Sequence, residues 1–521
     1  MKKRTALSIL SLLISALPLF SQNQKGTTED FSVAVSRLDA CVDNSLKRNN
    51  LTASGLSTDA SFIRRLSLDI TGRQPTSSDA QKFIELRDPE KRSKKIDSLL
   101  DSDGFIEYQV LKWGDLLRCK SEFPSNLWPN AVQAYARWMK ESIRDNIPYD
   151  QFVRDLLISS GSNFRVGEVN FYRAFQTRDP KNIAESFALL FLGMRPSTKF
   201  ADNKNPDDLS PFFSQIKYKK SEEWKEEFVY IDKDISPKIY SVTMPGGDKI
   251  ILKANTDLRI QLVDWLTAKQ NPYFAKVMVN RIWFWLMGRG IVNEPDDFRS
   301  DNLPSNPELL AFLENEFTSH NYDVKYIFRL ILNSKTYQRS AVTNESNKSD
   351  ETLFSHYSIR RLTAEQLIDA ICDITDMPET YWSRVPEPFT FLPKDTRAVQ
   401  LEDGTISTPV LEMFGRPSRD ISYESDRNNN LTMKQVLYLL NSTQVTDKIN
   451  KSKKLKLLTD QFSDKEKLIT EIYLLVLNRF PTPSETSIAV NYFSETKKDK
   501  YQNTSDLVWA LINTKEFLFD H

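Results

Sequence analysis

NPYFAKVMVNRIWFWLMGRGIVNEPDDFR, residues Asn271 to Arg299, carries a helix start, a buried face and a stop in one run. Asn271 is a good N-cap, and Pro272 suits the first helical position, where a missing N–H costs nothing. Phe274, Val277, Met278, Ile282, Trp285 and Leu286 recur at three- and four-residue spacing and therefore share one face. Gly288 supplies the left-handed stop. Arg281 lies inside this apolar stripe. An unpaired buried guanidinium is very costly, so it must reach either solvent or a carboxylate. Asp296 and Asp297 are the nearest acids, and the pattern predicts an ion pair between Arg281 and one of them.

The helical period recurs on both sides. FIRRLSLDITGRQPTSSDAQKFI, from Phe62 to Ile84, reads as helix, Gly72 stop, Pro75 turn and a second helix opened by Thr76 with Asp79 three residues on. Arg65 and Asp69, four apart, are expected to pair along the first of these helices, with Arg64 beside them in solvent or between domains. Helices are predicted over Lys91 to Leu100, Phe105 to Leu117, Asn130 to Arg144, Tyr149 to Ser159 and the almost continuously apolar Ala184 to Arg195. Leu362 to Ile374 has a capping box in Thr363 and Gln366. Strands are predicted over Glu226 to Asp232 and Lys238 to Ala254, the latter a hairpin around Pro245-Gly246-Gly247-Asp248. Pro378 to Pro409 has five prolines and no clear period, and such long irregular segments are often functional. Arg73-Gln-Pro75-Thr76 and Arg479-Phe-Pro481-Thr482 echo one another as shared helix-end chemistry. The fold class that follows is mainly α, with two helical domains over 30–215 and 257–521 and a small β-containing connector over 216–256 between them.

Composition sets further bounds. Of 521 residues, 40% are hydrophobic and 27% charged, an ordinary globular balance. Lys+Arg and Asp+Glu number 70 each, and the zero net charge argues against nucleic acid as the main partner. Three histidines and the absence of any CxxCH run argue against a multi-histidine metal site and against covalent haem, so no cofactor and no metal are expected. Cys41, Cys119 and Cys372 are expected as buried structural thiols. Residues 1–21 read as a secretory signal: Lys2, Lys3 and Arg4 precede the apolar Ala6 to Phe20, with Ser21 before cleavage. Leu38 to Cys41 has lipobox-like letters but lies well inside the mature chain. No other run is long and apolar enough for a membrane helix. The expected address is therefore the periplasm or the exterior.

The Asn271 to Arg299 run, written N-P-x-F-A-(x)3-V-N-R-I-W-(x)3-M-G-R-G-I-V-(x)3-D-D-F-R, resembles the signature of the second of two paired domains of unknown function found beside cytochrome c-type modules in planctomycete proteins. The Phe62 helix–turn–helix, the I-P-Y-D-Q-F-V-R run and Ala184 to Arg195 resemble the first domain of that pair. FGRPSRDISYESDRNNNLTMKQVLYLLNS, from Phe414 to Ser442, extends the likeness to the second. Many relatives carry a CxxCH-type segment where this chain has Pro196 to Asn205, and a CxC where it has Tyr423 and Ser425. No haem or metal role transfers to those positions.

The densest polar cluster is Arg416, Arg419, Asp420, Glu424, Asp426 and Arg427, beside Gly415 and Pro417. Three arginines suit a sulfate, carboxylate or phosphate, and a carboxylate among them suits general acid–base work. The competing reading, an ion-pair network pinning an irregular loop, is the stronger one for this cluster and stronger still for Arg281. The resemblance implies a non-redox exported protein that binds an envelope protein or an anionic, sulfated glycan. The second reading is a polysaccharide hydrolase or lyase working through residues 416–427. No GxSxG, P-loop or GxGxxG is present.

Overall fold

The structure, a computed structural model, describes residues 28–195, 208–235 and 241–521. The signal segment and the Pro196 to Asn205 run lie outside the described residues. The remainder is mainly α, as the helical periods require, with strands confined to small two- and three-stranded sheets. No helix among the described residues is long and apolar enough to cross a membrane.

The helix of the 271–299 run spans Phe274–Met287, with nearly every side chain buried. The Asn271 side chain caps it from outside, accepting from the Tyr273 and Phe274 N–H groups at 2.9 and 3.0 Å. Gly288, at φ 75°, ends it in the left-handed region. Asn280 then fixes the exit loop, donating to the Val292 carbonyl and accepting from the Val292 N–H, both at 2.9 Å. The apolar helix expected from Ala184 starts earlier, at Pro180, and stops at Leu192, because Gly193 takes a left-handed conformation.

Hydrophobic packing divides the chain elsewhere than at the connector. One core gathers side chains from Ala34 to Tyr357, joining the first domain to the opening helices of the second. The other gathers Leu362 to Leu518. The Asp59–Thr71 helix is sandwiched between them: Phe62, Ile63, Leu66 and Ile70 face the first core, whereas Leu68 enters the second. The connector belongs to the first core. Its strand Glu227–Ile231 lies between Ile216–Lys220 and Gly161–Ser162, all antiparallel. The expected hairpin is Ser241–Thr243 against Lys249–Ile251, with Val242 opposite Ile250; Lys238 lies outside the described residues.

Arg64 and Arg65 correct their sequence reading. Both are buried, because the helix that carries them has a core on each side. Arg64 donates to the Asn478 side chain at 3.0 Å and to the Phe517 carbonyl at 2.9 Å. Arg65 donates to the Tyr337 and Arg339 carbonyls and lies 3.6 Å over the Tyr357 ring, leaving Asp69 to another partner. The echoing turns meet in space. Gly72 and Asn478 both end their helices in the left-handed region, Thr76 and Thr482 both cap the next helix, and Asn478 Nδ2 donates to the Pro75 carbonyl at 3.0 Å.

Candidate functional site

A cavity of about 250 Å³ opens where the two cores adjoin. The Asp103–Leu116 helix turns Tyr108, Lys112 and Asp115 toward it at helical spacing. The end of the Phe274–Met287 helix contributes Phe284 and Trp285, and Arg360 and the 417–429 loop close the remaining sides.

Lys112 is the residue that stands out. Its ammonium lies 4.5 Å from the Tyr108 ring centre and 4.9 Å from that of Trp285. Among the described residues it has no hydrogen-bond or ion-pair partner. Burial pulls its pKa down to about 7; Arg360 and Arg427 act in the same direction, whereas Asp69 and Glu424 oppose it. Two carboxyls in the same cavity move the other way. Burial raises Glu424 to about 7, with Arg281 and Lys112 pulling against it. Burial also raises Asp69 to about 7, with Asp520 adding to the effect and Arg360 opposing it.

Their fixings differ. Glu424 Oε1 accepts from the Trp285 indole at 3.1 Å and lies 3.2 Å from Arg281 Nε. Asp69 accepts from Arg360 and, at 2.9 Å, from the Tyr337 hydroxyl. Arg360 also donates to the Trp285 and Leu286 carbonyls at 2.9 and 3.0 Å, closing the end of the central helix.

The structure redistributes the residues singled out from sequence. Arg281 is buried as expected, but its carboxylate is Glu424, and its Nη atoms both donate to the Leu190 carbonyl at 3.1 Å. Asp296 instead accepts from Arg195 at 2.6 Å and from the Glu424 N–H at 3.3 Å. Asp297 pairs with Arg299 at 2.9 Å.

The arginine loop is consumed internally. Arg419, fully buried, donates to Asp115 at 2.8 Å, to the Cys119 carbonyl at 3.0 Å and to the Glu402 carbonyl. It is threaded beside Gly404, where an added Cβ would lie 2.5 Å from its Cδ. Arg427 spans two acids, reaching Glu365 and Asp115 at 2.6 Å each. Arg416 is buried, lies 3.6 Å from Glu365 and donates to the Ile406 carbonyl. Burial works against the charge of Glu365, yet Arg427 and Arg416 outweigh it and hold the carboxyl at about 2. Asp420 is half-exposed and pairs with Lys120 at 2.7 Å. Gly415, at φ 88°, lets the loop pass against the Asn428 carbonyl, which an added Cβ would meet at 1.8 Å. The helix after the loop, Met433–Asn441, is capped by Thr432 with Gln435.

Of the expected cluster, Glu424, Asp426 and Arg427 line the cavity, whereas Arg416, Arg419 and Asp420 do not. Sequence reasoning missed Lys112, although a charge between Leu111 and Trp113 on an apolar helix was the same signal that marked Arg281. Arg360, Asp115, Glu365 and Asp520 gave no local signal. The expectation of three buried thiols holds for Cys119 alone, since Cys41 and Cys372 are partly accessible.

Fold and site define a mainly α-helical protein with a charged cavity at the seam of two cores. Family comparison places it further. Residues 37–195 match PSCyt2, a protein of unknown function (DUF1549), and residues 258–493 match PSD1, a protein of unknown function (DUF1553). The chain belongs to the planctomycete cytochrome-associated family that pairs these two domains. No curated protein and no solved structure matched it.

Two outcomes follow from this geometry. Arg281→Met strands the Glu424 carboxylate and is expected to cost about 3 kcal/mol in urea unfolding; an unchanged midpoint would show that the pair carries no stability. Lys112 titrates near 7 in the folded chain against 10.5 for the free side chain. Between those values the unfolded chain binds more protons, so stability rises with pH across that window, and below 7 the cost of the buried charge is fully present. Lys112→Met is expected to stabilise most below pH 7, with the gain shrinking toward pH 10. Melting curves across that range check it, and a gain that does not vary with pH would refute it.

Proposed function

We propose that the protein is an acid–base enzyme whose proton carriers are Lys112, Glu424 and Asp69. The observation that carries this is the Lys112 ammonium, set between two aromatic rings in a cavity and unpaired among the described residues. Here the three groups are drawn toward neutrality from opposite sides, which suits a base and an acid working at the same pH. As the free amine, Lys112 accepts a proton from substrate or from an attacking water. As the carboxylic acid, Glu424 donates one to a leaving oxygen. The trio supports hydrolysis or elimination, the two reactions that the sequence reading attached to the 416–427 loop. Anion binding by that loop has less support, because Arg416, Arg419 and Arg427 are engaged within the protein.

Purified protein should be screened against polysaccharides and glycosides for new reducing ends and for the absorbance of unsaturated products. Lys112→Ala and Glu424→Gln are expected to lower kcat by about 10²- to 10⁴-fold with the helical circular dichroism retained. The wild-type pH profile is expected to be bell-shaped around neutrality. Full activity in a folded Lys112→Ala would overturn the proposal.

We further propose that the enzyme works after export, on the strength of the basic Lys2 to Arg4 and the apolar Ala6 to Phe20. N-terminal sequencing of the mature protein is expected to begin after Ser21; an intact Met1 would count against export.

A further inference from the structure

Tyr423 lines a second cavity as well as the first. This one has a volume of about 340 Å³, and its cation is Arg118. Arg118 lies just past the Asp103–Leu116 helix that carries Lys112 and Asp115, at φ 56° in the left-handed region. Gly or Asn ordinarily takes that conformation, so an arginine there is held at a cost. The chain sets its guanidinium against the Phe175 ring, 4.7 Å from the ring centre. Nε donates to the Ser422 hydroxyl at 3.0 Å, and Nη2 to the Ser186 hydroxyl at 3.1 Å. Nη1 has no acceptor among the described residues and is not one of the buried polar atoms, so a ligand in the cavity can reach it. Burial draws the group down to about 10, with Tyr423 and Asp420 opposing, which leaves it a cation at neutral pH.

Other buried arginines show what this one lacks. Arg281, Arg360, Arg416, Arg419 and Arg427 each have a carboxylate. Arg361, which lines the first cavity, has none, but it spends its donors on the carbonyls of Asn429, Leu362, Phe414 and Asn428. Arg118 has only neutral hydroxyls and keeps a donor over. A half-buried guanidinium in a cavity with an unspent N–H suits an oxyanion, to which it gives a charge-assisted hydrogen bond. Two acids set the charge of that anion. Asp420 lines the cavity while paired with Lys120 at 2.7 Å, and Glu185 lines it half-exposed. They would repel a doubly charged phosphate more than a group with a single charge.

The two cavities are joined by three consecutive residues. Ser422 holds Arg118, Tyr423 lines both cavities, and Glu424 is the acid of the first. Two steps of extended chain span about 7 Å at most, so one substrate molecule can reach across them. We infer that the second cavity is a subsite for one singly charged oxyanion group, a carboxylate or a sulfate ester, on the molecule that the first cavity acts upon, with Arg118 as its anchor. This rests on the acid–base reading of the first cavity and names a charge that its substrate carries.

The test titrates the full chain by calorimetry with glucuronate and glucose 6-sulfate, and in parallel with methyl glucoside and glucosamine. At least one of the two anions is expected to bind, more tightly than the neutral and the cationic sugar, and to bind less tightly as salt is raised. Which anion binds tells a carboxylate site from a sulfate site. Arg118→Asn and Arg118→Gly both suit the left-handed backbone and are expected to keep the fold. Each is expected to weaken the anion at least about tenfold, the loss of a hydrogen bond between charged groups. No binding of either anion, equal or tighter binding of methyl glucoside, or undiminished affinity in the folded variants would overturn the inference. The two proposals fail separately. If Lys112→Ala abolishes turnover of a substrate whose KM is unmoved by Arg118→Asn, the subsite is wrong and the acid–base reading stands. If the anions bind through Arg118 but Lys112→Ala leaves turnover intact, the anion site stands and the catalytic reading falls.

Discussion

The contact on which the rest of the architecture depends is the buried pair of Asp69 and Arg360. Asp69 comes from the helix between the two cores, and Arg360 from the short segment where packing passes from one core to the other. Burying these charges is worthwhile only if every remaining valence is used. Arg360 spends its other donors on the carbonyls that end the central helix and approaches Asp520, while Asp69 takes the Tyr337 hydroxyl. One ion pair thereby sets the position of the central helix, the bridging helix and the Phe519–Asp520 strand that pairs with Arg360–Arg361. The walls of the cavity are these same elements.

Local chemistry was readable from the sequence wherever it was local in fact. The capping box at Thr363, the left-handed stops at Gly72 and Gly288 and the turn at Gly246-Gly247 depend on residues a few positions apart, and each forms. The burial of Arg281 followed from its place in an apolar stripe, but its partner did not. Sequence proximity favoured Asp296 or Asp297, whereas the fold brings Glu424 from far along the chain. The loop arginines show the same limit. Their number and spacing suggested either a site for anions or an ion-pair network; the network forms, but Asp115 and Glu365, which neutralise them, lie in other elements. Three arginines in one loop mark a charge-rich place without saying whether it faces solvent or the interior.

The division into cores also bears on how the two family domains relate. Their boundaries follow sequence similarity, and the opening helices of the second domain pack with the first. The echoing turns at Arg73 and Arg479 add a second tie, since Asn478 meets Arg64 and Pro75 across the seam. An isolated copy of either domain would expose apolar surface that the other covers, which gives a physical reason for their occurring as a pair.

The siting of the cavity gives it a mechanical character as well as a chemical one. Lys112 and Trp285 belong to elements packed in the first core, whereas Gln366 belongs to a helix packed in the second. A molecule that grips both sides acts as a rivet: its binding free energy adds to the cohesion between the cores, in proportion to the logarithm of its concentration. Strain imposed on either core would in turn be felt at the cavity as a loss of affinity, because linkage between two equilibria runs in both directions.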